Sequence, residues 1–513
     1  MCPLPTYLGV DLGTSSVKGV LIEADGRVIA TAERSLVLST PSPLAAEQDA
    51  DAWWAASVEV LRELTAADDR TRIGAVGFAG QKHAFLPLDA SDRPLGPAVL
   101  WCDGRAAAEA DEVHARIDRV ALGRRTGAFA LPGYLLPKWL RFRRKHPELA
   151  AATASLLFAK DWLRFRMTGV KATDRTEASA SLLFDIGRKA WAEDLAAMFE
   201  VPLSALPPVL RSSDVAGRVT EAAALETGVP AGTPVVGGAG DNEAGALACG
   251  ALGEGVVAVI LGTSATIVAA HESRGTAGGL AWGRHATRSG YAATGVVLSA
   301  GRALEWIREA AFAPGVTTEE VIAAATASDP SEGALVFVPS LVGERSPVPD
   351  AGASGAFVGL RPGHGRGHLA RAVIEGVALS IAEVLHLLRG AGVPVTDLRL
   401  TSGGAASSFW RGLVGAAANL PVRAMGDVHG PALGAALLAA RGAGRFKALK
   451  DGVDAWVAPS LETDRCAPEV PDPAEVTRLA GLGTTLRSVR NALRATSMPR
   501  RSPRAPGEGS SRA

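Results

Sequence analysis

One short motif occurs twice in this chain, about half its length apart. VDLGTSSVKGVLIEAD opens near residue 10 and VILGTSATIVAAHESR near residue 259. In each copy an apolar run meets a Gly-Thr-Ser turn, and a second apolar run follows. A repeated strand–turn–strand unit predicts two half-chains built on one plan, with a boundary close to residues 247–255. At 513 residues a single compact core is too small an account, which agrees with a two-domain reading. The expected division is 1–247, then 248–493, then a Pro-, Ser- and Arg-rich stretch at 494–513 with no apolar period, expected to be a disordered basic tail.

The repeated turns offer backbone N–H groups and hydroxyls to an anion, and Lys18 adds a cation just beyond the first. A plain polar turn explains the same residues. Asp25-Gly26 is a hairpin signal leading into Val28 to Ala30, so the chain opens as a β-meander. The stretch Thr233 to Leu247, TPVVGGAGDNEAGAL, organises the rest. Val235 and Val236 read as a buried strand, and Gly237, Gly238 and Gly240 permit a tight turn. Asp241 and Asn242 then stand at a strand-to-helix corner, where α/β sheets place ligands. Asp241 as a simple helix N-cap is the alternative.

Around this corner lie further recognisable elements. ADAWWAASVEVLREL predicts an amphipathic helix with Trp53, Val58, Leu61 and Leu64 inward. RIGAVGFAG predicts a strand with Gln81, Lys82 and His83 at its exit, able to line a pocket. The basic run Lys138 to Lys145 reads as a solvated helix face. Leu369 to Leu388 carries a helical apolar stripe ended by Gly390. Leu398 to Thr401 predicts a strand running into Gly403 and Gly404, and Pro431 opens another helix.

Lys plus Arg equals Asp plus Glu, 53 of each, so no global field draws the chain to nucleic acid or to an anionic membrane. The four cysteines are scattered and match neither a zinc ribbon nor a disulfide framework, which suits a reducing cytosol. The N-terminus lacks the pattern of a signal peptide, and the longest apolar run is too short to span a bilayer. A cytoplasmic protein is expected.

Taken together and in order, these landmarks resemble the FGGY family of carbohydrate kinases. The matching segments are DLGTSSVK at 11–18, DN at 241–242, LGTS at 261–264, GERSP at 343–347, SGGAASS at 402–408 and GAFVGLRPGHGRGHLARAVIE at 355–375. Within the family, AEQDADAWW, LWCDGRAAAE, AKDWLRFRMTG and GDVHGPALGAALLA are most similar to the xylulose-phosphorylating branch. The resemblance implies an α/β fold of two ribonuclease-H-like (actin-fold) domains around a central cleft. It implies ATP and Mg²⁺, with a sugar held mainly by the first domain and nucleotide mainly by the second. By position, Asp241 would be the catalytic base, and Asp11 with Asp241 would stand near the metal. Lys82, His83, Asp241 and Asn242 would face the sugar. Thr14, Ser15, Lys18, Gly262, Thr263, Gly403 and Gly404 would meet ATP. The implied reaction converts D-xylulose and ATP to D-xylulose 5-phosphate and ADP. Ribulose, a pentitol, glycerol or gluconate as acceptor, or a non-catalytic sugar or nucleotide sensor, are the alternatives. Neither nucleic acid nor membrane is an expected partner, and the family implies a monomer or homodimer. The chain departs from the branch at Lys82-His83-Ala84, where Met-His-Gly is usual, at Val348 where a His often stands, and at Arg141 where Trp is common.

Overall fold

The run TYLGVDL is apolar along nearly its whole length, and such a strand must be covered on both faces. It forms β1 (Thr6–Leu12), buried at every residue. The computed structural model describes residues 4–496, apart from 276–277, 288, 427–428 and 464–465. β1 pairs antiparallel with β2 (Ser16–Glu23), which pairs antiparallel with β3 (Val28–Ser35). The helix α1 (Ala50–Ala66) then leads into β4 (Ile73–Gly80), parallel to β1 on its other side. Asp49 caps α1 by accepting from Asp51 N at 2.8 Å, and Trp53, Val60, Leu61 and Leu64 are buried beneath it. Val58 is only half-buried, so the inward stripe falls on Val60 in its place.

A long insertion carrying α2 (Leu135–Lys145) precedes β5 (Val215–Arg218) and β6 (Pro234–Val236). The first sheet runs β5-β6-β4-β1-β2-β3, with Ala239–Gly240 pairing to the end of β4. From that pairing the chain turns directly into α3 (Asp241–Ala248).

The second half repeats the plan. β7 (Gly255–Leu261), β8 (Ala265–His271), β9 (Ala281–Arg284) and β10 (Tyr291–Val297) are antiparallel neighbours, and β11 (Val395–Thr401) lies parallel to β7 as β4 lies to β1. With β12 (Val422–Ala424) the order is β9-β10-β8-β7-β11-β12. Its helices include α4 (Gly301–Ala311), α5 (Arg366–Gly390), α6 (Ser408–Ala418), α7 (Gly430–Gly442) and α8 (Pro473–Thr496). This is the expected pair of actin-like domains. Among the described residues no helix is long and apolar enough to cross a membrane.

Two helices join the lobes. Gly9 and Gly77 stand side by side in β1 and β4. A Cβ on Gly9 would lie 1.9 Å from the Ala432 carbonyl oxygen, and one on Gly77 would lie 2.1 Å from that of Ala435. Only glycine lets α7, a helix of the second half, rest on the first sheet this closely. On its other side, Gly434 of α7 approaches the Ala244 carbonyl of α3 to 2.0 Å in the same sense. Small residues in α3 and α7 thus build one core shared by both halves, together with Val20, Ala75, Ala258 and Val268 from the two sheets.

The helix α8 continues to Thr496, three residues into the stretch expected as a tail. Arg494 is therefore helical, paired with Glu344. The remainder of that stretch, 497–513, lies outside the described residues.

Candidate functional site

Of Gly237, Gly238 and Gly240, only Gly238 has a left-handed backbone, at φ +79°, and a Cβ there would lie 2.1 Å from the Phe78 carbonyl oxygen. Gly240 is the N-cap of α3, and its N–H donates to Thr176 Oγ1 at 2.8 Å. Asp241 is the helix's first residue and not its cap. Its Oδ1 accepts from Asn242 N at 2.8 Å, and the residue as a whole is half-buried. Burial pushes that carboxyl up to about 7, aided by Glu243 and opposed by the Lys82 ammonium.

Asp11, at the end of β1, is buried and its Oδ1 has no hydrogen-bond partner. Burial and then the charge of Asp241 raise it to about 8, with Lys18 pulling the other way. Two carboxylates brought together from separate elements, one with an orphaned oxygen, form a donor set that a hard cation would relieve. Among the described residues no three His, Cys, Asp or Glu side chains are grouped to hold a metal ion. A magnesium ion here would thus keep water or phosphate oxygens for the rest of its shell, which is its usual habit.

Lys82 turns neither to solvent nor to open space. Its ammonium meets Glu243 at 2.7 Å, with that carboxylate 1 % exposed. Burial alone would depress the lysine, but Glu243, Glu177 and Asp241 outweigh it and hold the charge. Gly240 makes room for this pair, since a Cβ there would stand 2.6 Å from Lys82 Cδ. His83 sits at φ +66°, its N–H donating to Glu177 Oε1 at 2.9 Å. Its Nδ1 lies 2.9 Å from the Ala180 carbonyl, which places the proton on Nδ1 and leaves Nε2 as an acceptor. Burial, then Arg345 and Lys82, hold this ring neutral. Asn242 lines the same pocket.

Lys138 corrects the expectation of a solvated basic face. It is buried, donates to the His83 carbonyl at 2.7 Å and to that of Val99 at 3.2 Å, and burial pushes it down to about 7. A helix face reading as surface in fact fixes the strand exit that presents His83. Arg143 of the same run does meet an acid at the surface, Glu200 at 2.6 Å, whereas Arg144 reaches the buried Glu109 at 2.7 Å.

The second lobe closes this pocket. Trp282 N donates to the Gly127 carbonyl at 2.7 Å, and Arg345 Nη2 donates to the Tyr134 hydroxyl at 2.8 Å. About 30 Å³ remains between the walls, against about 1060 Å³ in the neighbouring cleft, so this pocket is nearly closed.

The wide cleft runs from Asp11 and Lys18 on one side to Gly403, Gly430 and Pro431 on the other. Lys18 is exposed and pairs with Glu33 at 3.4 Å. Gly403 faces open space, whereas a Cβ on Gly404 would strike Leu261 Cγ at 2.5 Å, so the second glycine serves packing against β7. Ser15 is exposed at the first hairpin tip. The Thr14 hydroxyl is already engaged, donating to Gln81 Oε1 at 3.1 Å and accepting from Trp101 Nε1 at 3.0 Å. At the second tip Gly301 N donates to the Gly262 carbonyl at 2.9 Å, and Ala300 N and Arg302 N both donate to that of Thr263 at 3.1 Å.

Asp11, Lys82, His83, Asp241 and Asn242 are thus brought together, with Lys18 and Gly403 along the cleft. Glu243, Lys138, Tyr134 and Arg345 were not anticipated there. Glu243 had one visible signal, being the lone charge among the small residues that follow Asp241-Asn242. Arg345 lay within a charged turn already noticed, without a role.

The chain matches the FGGY family of carbohydrate kinases, N-terminal domain, over residues 6–248, and the C-terminal domain of that family over 257–443. It is 36 % identical over 438 residues to a xylulose kinase from Klebsiella pneumoniae, covering 84 % of this chain and 89 % of that relative. Among solved structures it is similar to xylulose kinase from Rhodospirillum rubrum, with TM-score 0.86 and 31 % identity over 96 % of this chain and 99 % of the other. Gluconate kinase from Lactobacillus acidophilus superposes with TM-score 0.88 at 25 % identity, over 96 % and 99 % of the two chains.

Proposed function

The chain belongs to the FGGY family of carbohydrate kinases, and from that premise we propose that it phosphorylates a ketopentose, converting D-xylulose and ATP to D-xylulose 5-phosphate and ADP. The observation that carries the mechanism is the place of Asp241. It stands at a glycine corner where its charge acts on both Lys82 in the sugar pocket and Asp11 at the cleft.

A sugar hydroxyl is a poor nucleophile at neutral pH, and a carboxylate that takes its proton as the phosphoryl bond forms lowers the barrier. A group titrating near 7 suits that task, being both available as base and strong enough to accept. His83 Nε2 and Asn242 orient sugar oxygens, while the N–H groups of the first hairpin tip and Lys18 face the transferring phosphates. Asp11 and Asp241 are the residues that would hold Mg²⁺, which when bound neutralises charge on the phosphoryl oxygens.

Lys82 weighs against an acidic acceptor such as gluconate, because its ammonium is already neutralised by Glu243. ADP release measured with D-xylulose, D-ribulose, a pentitol, glycerol and gluconate tests the substrate, and highest kcat/KM on D-xylulose is expected. Asp241→Asn, checked for folding by circular dichroism, should lose about 10²- to 10⁴-fold in kcat. Near-normal turnover by that folded variant removes Asp241 from the base role.

A further inference from the structure

Arg345 projects from a loop of the second lobe whose two flanking residues are both fastened. Glu344 is buried and ion-paired with Arg490, 2.8 Å from its Nε, and with Arg494, both from α8. Ser346 Oγ donates to the Gly279 carbonyl at 2.5 Å and accepts from Val296 N at 3.1 Å. The residue between them is therefore aimed by its neighbours rather than left to wander.

The guanidinium crosses to the first lobe. It lies 5.4 Å from the centre of the Tyr134 ring and bonds the Tyr134 hydroxyl; that ring packs on His83 at 4.3 Å, and all three line one pocket. It is half-buried, and among the described residues no carboxylate pairs with it. Lys82, which lines the same pocket, is by contrast neutralised by Glu243 at 2.7 Å. A guanidinium has five N–H donors, and one bond to a phenol leaves most of them unused inside a nearly closed pocket.

We propose that Arg345 is a sugar-binding residue supplied by the nucleotide-side lobe, its spare N–H donors taking oxygen atoms of the acceptor. Glu344, Ser346 and Arg490 are its positioning residues. The proposal rests on the sugar-kinase reading above, and it gives that reading a means of coupling. A sugar held by His83 and Asn242 from one lobe and Arg345 from the other draws the lobes together around it. The helix α8 that aims the arginine lies beyond the matched family segment, which ends at 443.

The test uses whichever acceptor of the panel the wild-type enzyme turns over best, so a wrong sugar assignment leaves it intact. Arg345→Met should raise KM for that sugar by about tenfold or more, since each bond to a charged group contributes substantially to binding. KM for ATP should stay unchanged. Arg345→Lys, which keeps the charge and loses the fork, should fall between the two. Glu344→Gln should raise sugar KM by a smaller factor, and Tyr134→Phe smaller still. Calorimetric titration of the sugar into each variant checks the same order without turnover. A folded Arg345→Met or Arg345→Lys enzyme with wild-type sugar KM overturns the proposal, as does an equal rise in the KM for ATP.

Discussion

At the tip of the β1–β2 hairpin the side chain of Thr14 is gripped from within its own lobe by Gln81 and Trp101. At the tip of the β7–β8 hairpin the bonds run through the backbone, where the Gly262 and Thr263 carbonyls hold the first residues of α4. Both carry LGTS. The first turn closes from Gly13 N to Ser16 O and the second from Gly262 N to Ser264 O, so the first loop is one residue longer. The larger difference stands one step before the motif. Asp11 precedes it in the first copy and Ile260 in the second. The shared motif makes a hairpin in both copies, and only the first places a carboxylate just before it.

Putting the second copy's residue into the first is the severest way to break that contrast. Asp11→Ile should lower kcat by about 10²-fold or more, the scale of losing one preorganised electrostatic group at a transition state. Steady-state kinetics at saturating sugar and Mg·ATP checks it, and retained turnover would mean that Asp11 is as inert as Ile260.

A second prediction reads the cost of keeping that acid. The Asp11 carboxyl titrates at about 8 in the folded protein against an ordinary 3.8. The folded state therefore binds a proton that the unfolded chain has released, and stability must fall as pH climbs from 3.8 towards about 8. In the metal-free protein, Asp11→Asn should flatten this slope and melt a few degrees higher at neutral pH. Melting curves across the range decide it; an unchanged slope assigns the proton elsewhere.

The smallest effect separates the two threonines. Thr14→Val leaves Trp101 Nε1 and Gln81 short of a partner and should cost about 1–3 kcal/mol of stability. Thr263→Val removes only the hydroxyl of an exposed residue and should cost under about 0.5 kcal/mol. Denaturant titration of both variants sharpens the comparison, and equal losses would erase it.

The two-lobe plan was readable because hairpin, parallel strand and covering helix recur in the same order, and local pattern suffices for each. The stripe from Leu369 to Leu388 gave α5 to within a turn for the same reason. The glycine corner was also legible, although only Gly238 needs its left-handed backbone. Gly240 is required by the Lys82–Glu243 pair, which no local pattern foretells. Burial of charge was the recurrent blind spot. Lys138 sits in a run that looks like surface, and Arg494 in one that looks like tail. Their partners, His83 and Glu344, are distant in sequence, so composition near either residue carries no trace of them. Arg345 meets Tyr134 only once two lobes are assembled.

The seat of α7 on paired Gly9 and Gly77 has a consequence for biogenesis. The opening sheet leaves the ribosome with one apolar side bare, and the helix that shields it is encoded only at Gly430–Gly442. Most of the polypeptide must therefore be synthesised before its beginning is finished. A gene fragment ending near the lobe boundary should yield an aggregating product, and a nonsense change just before Gly430 should harm the start of the chain as much as its end.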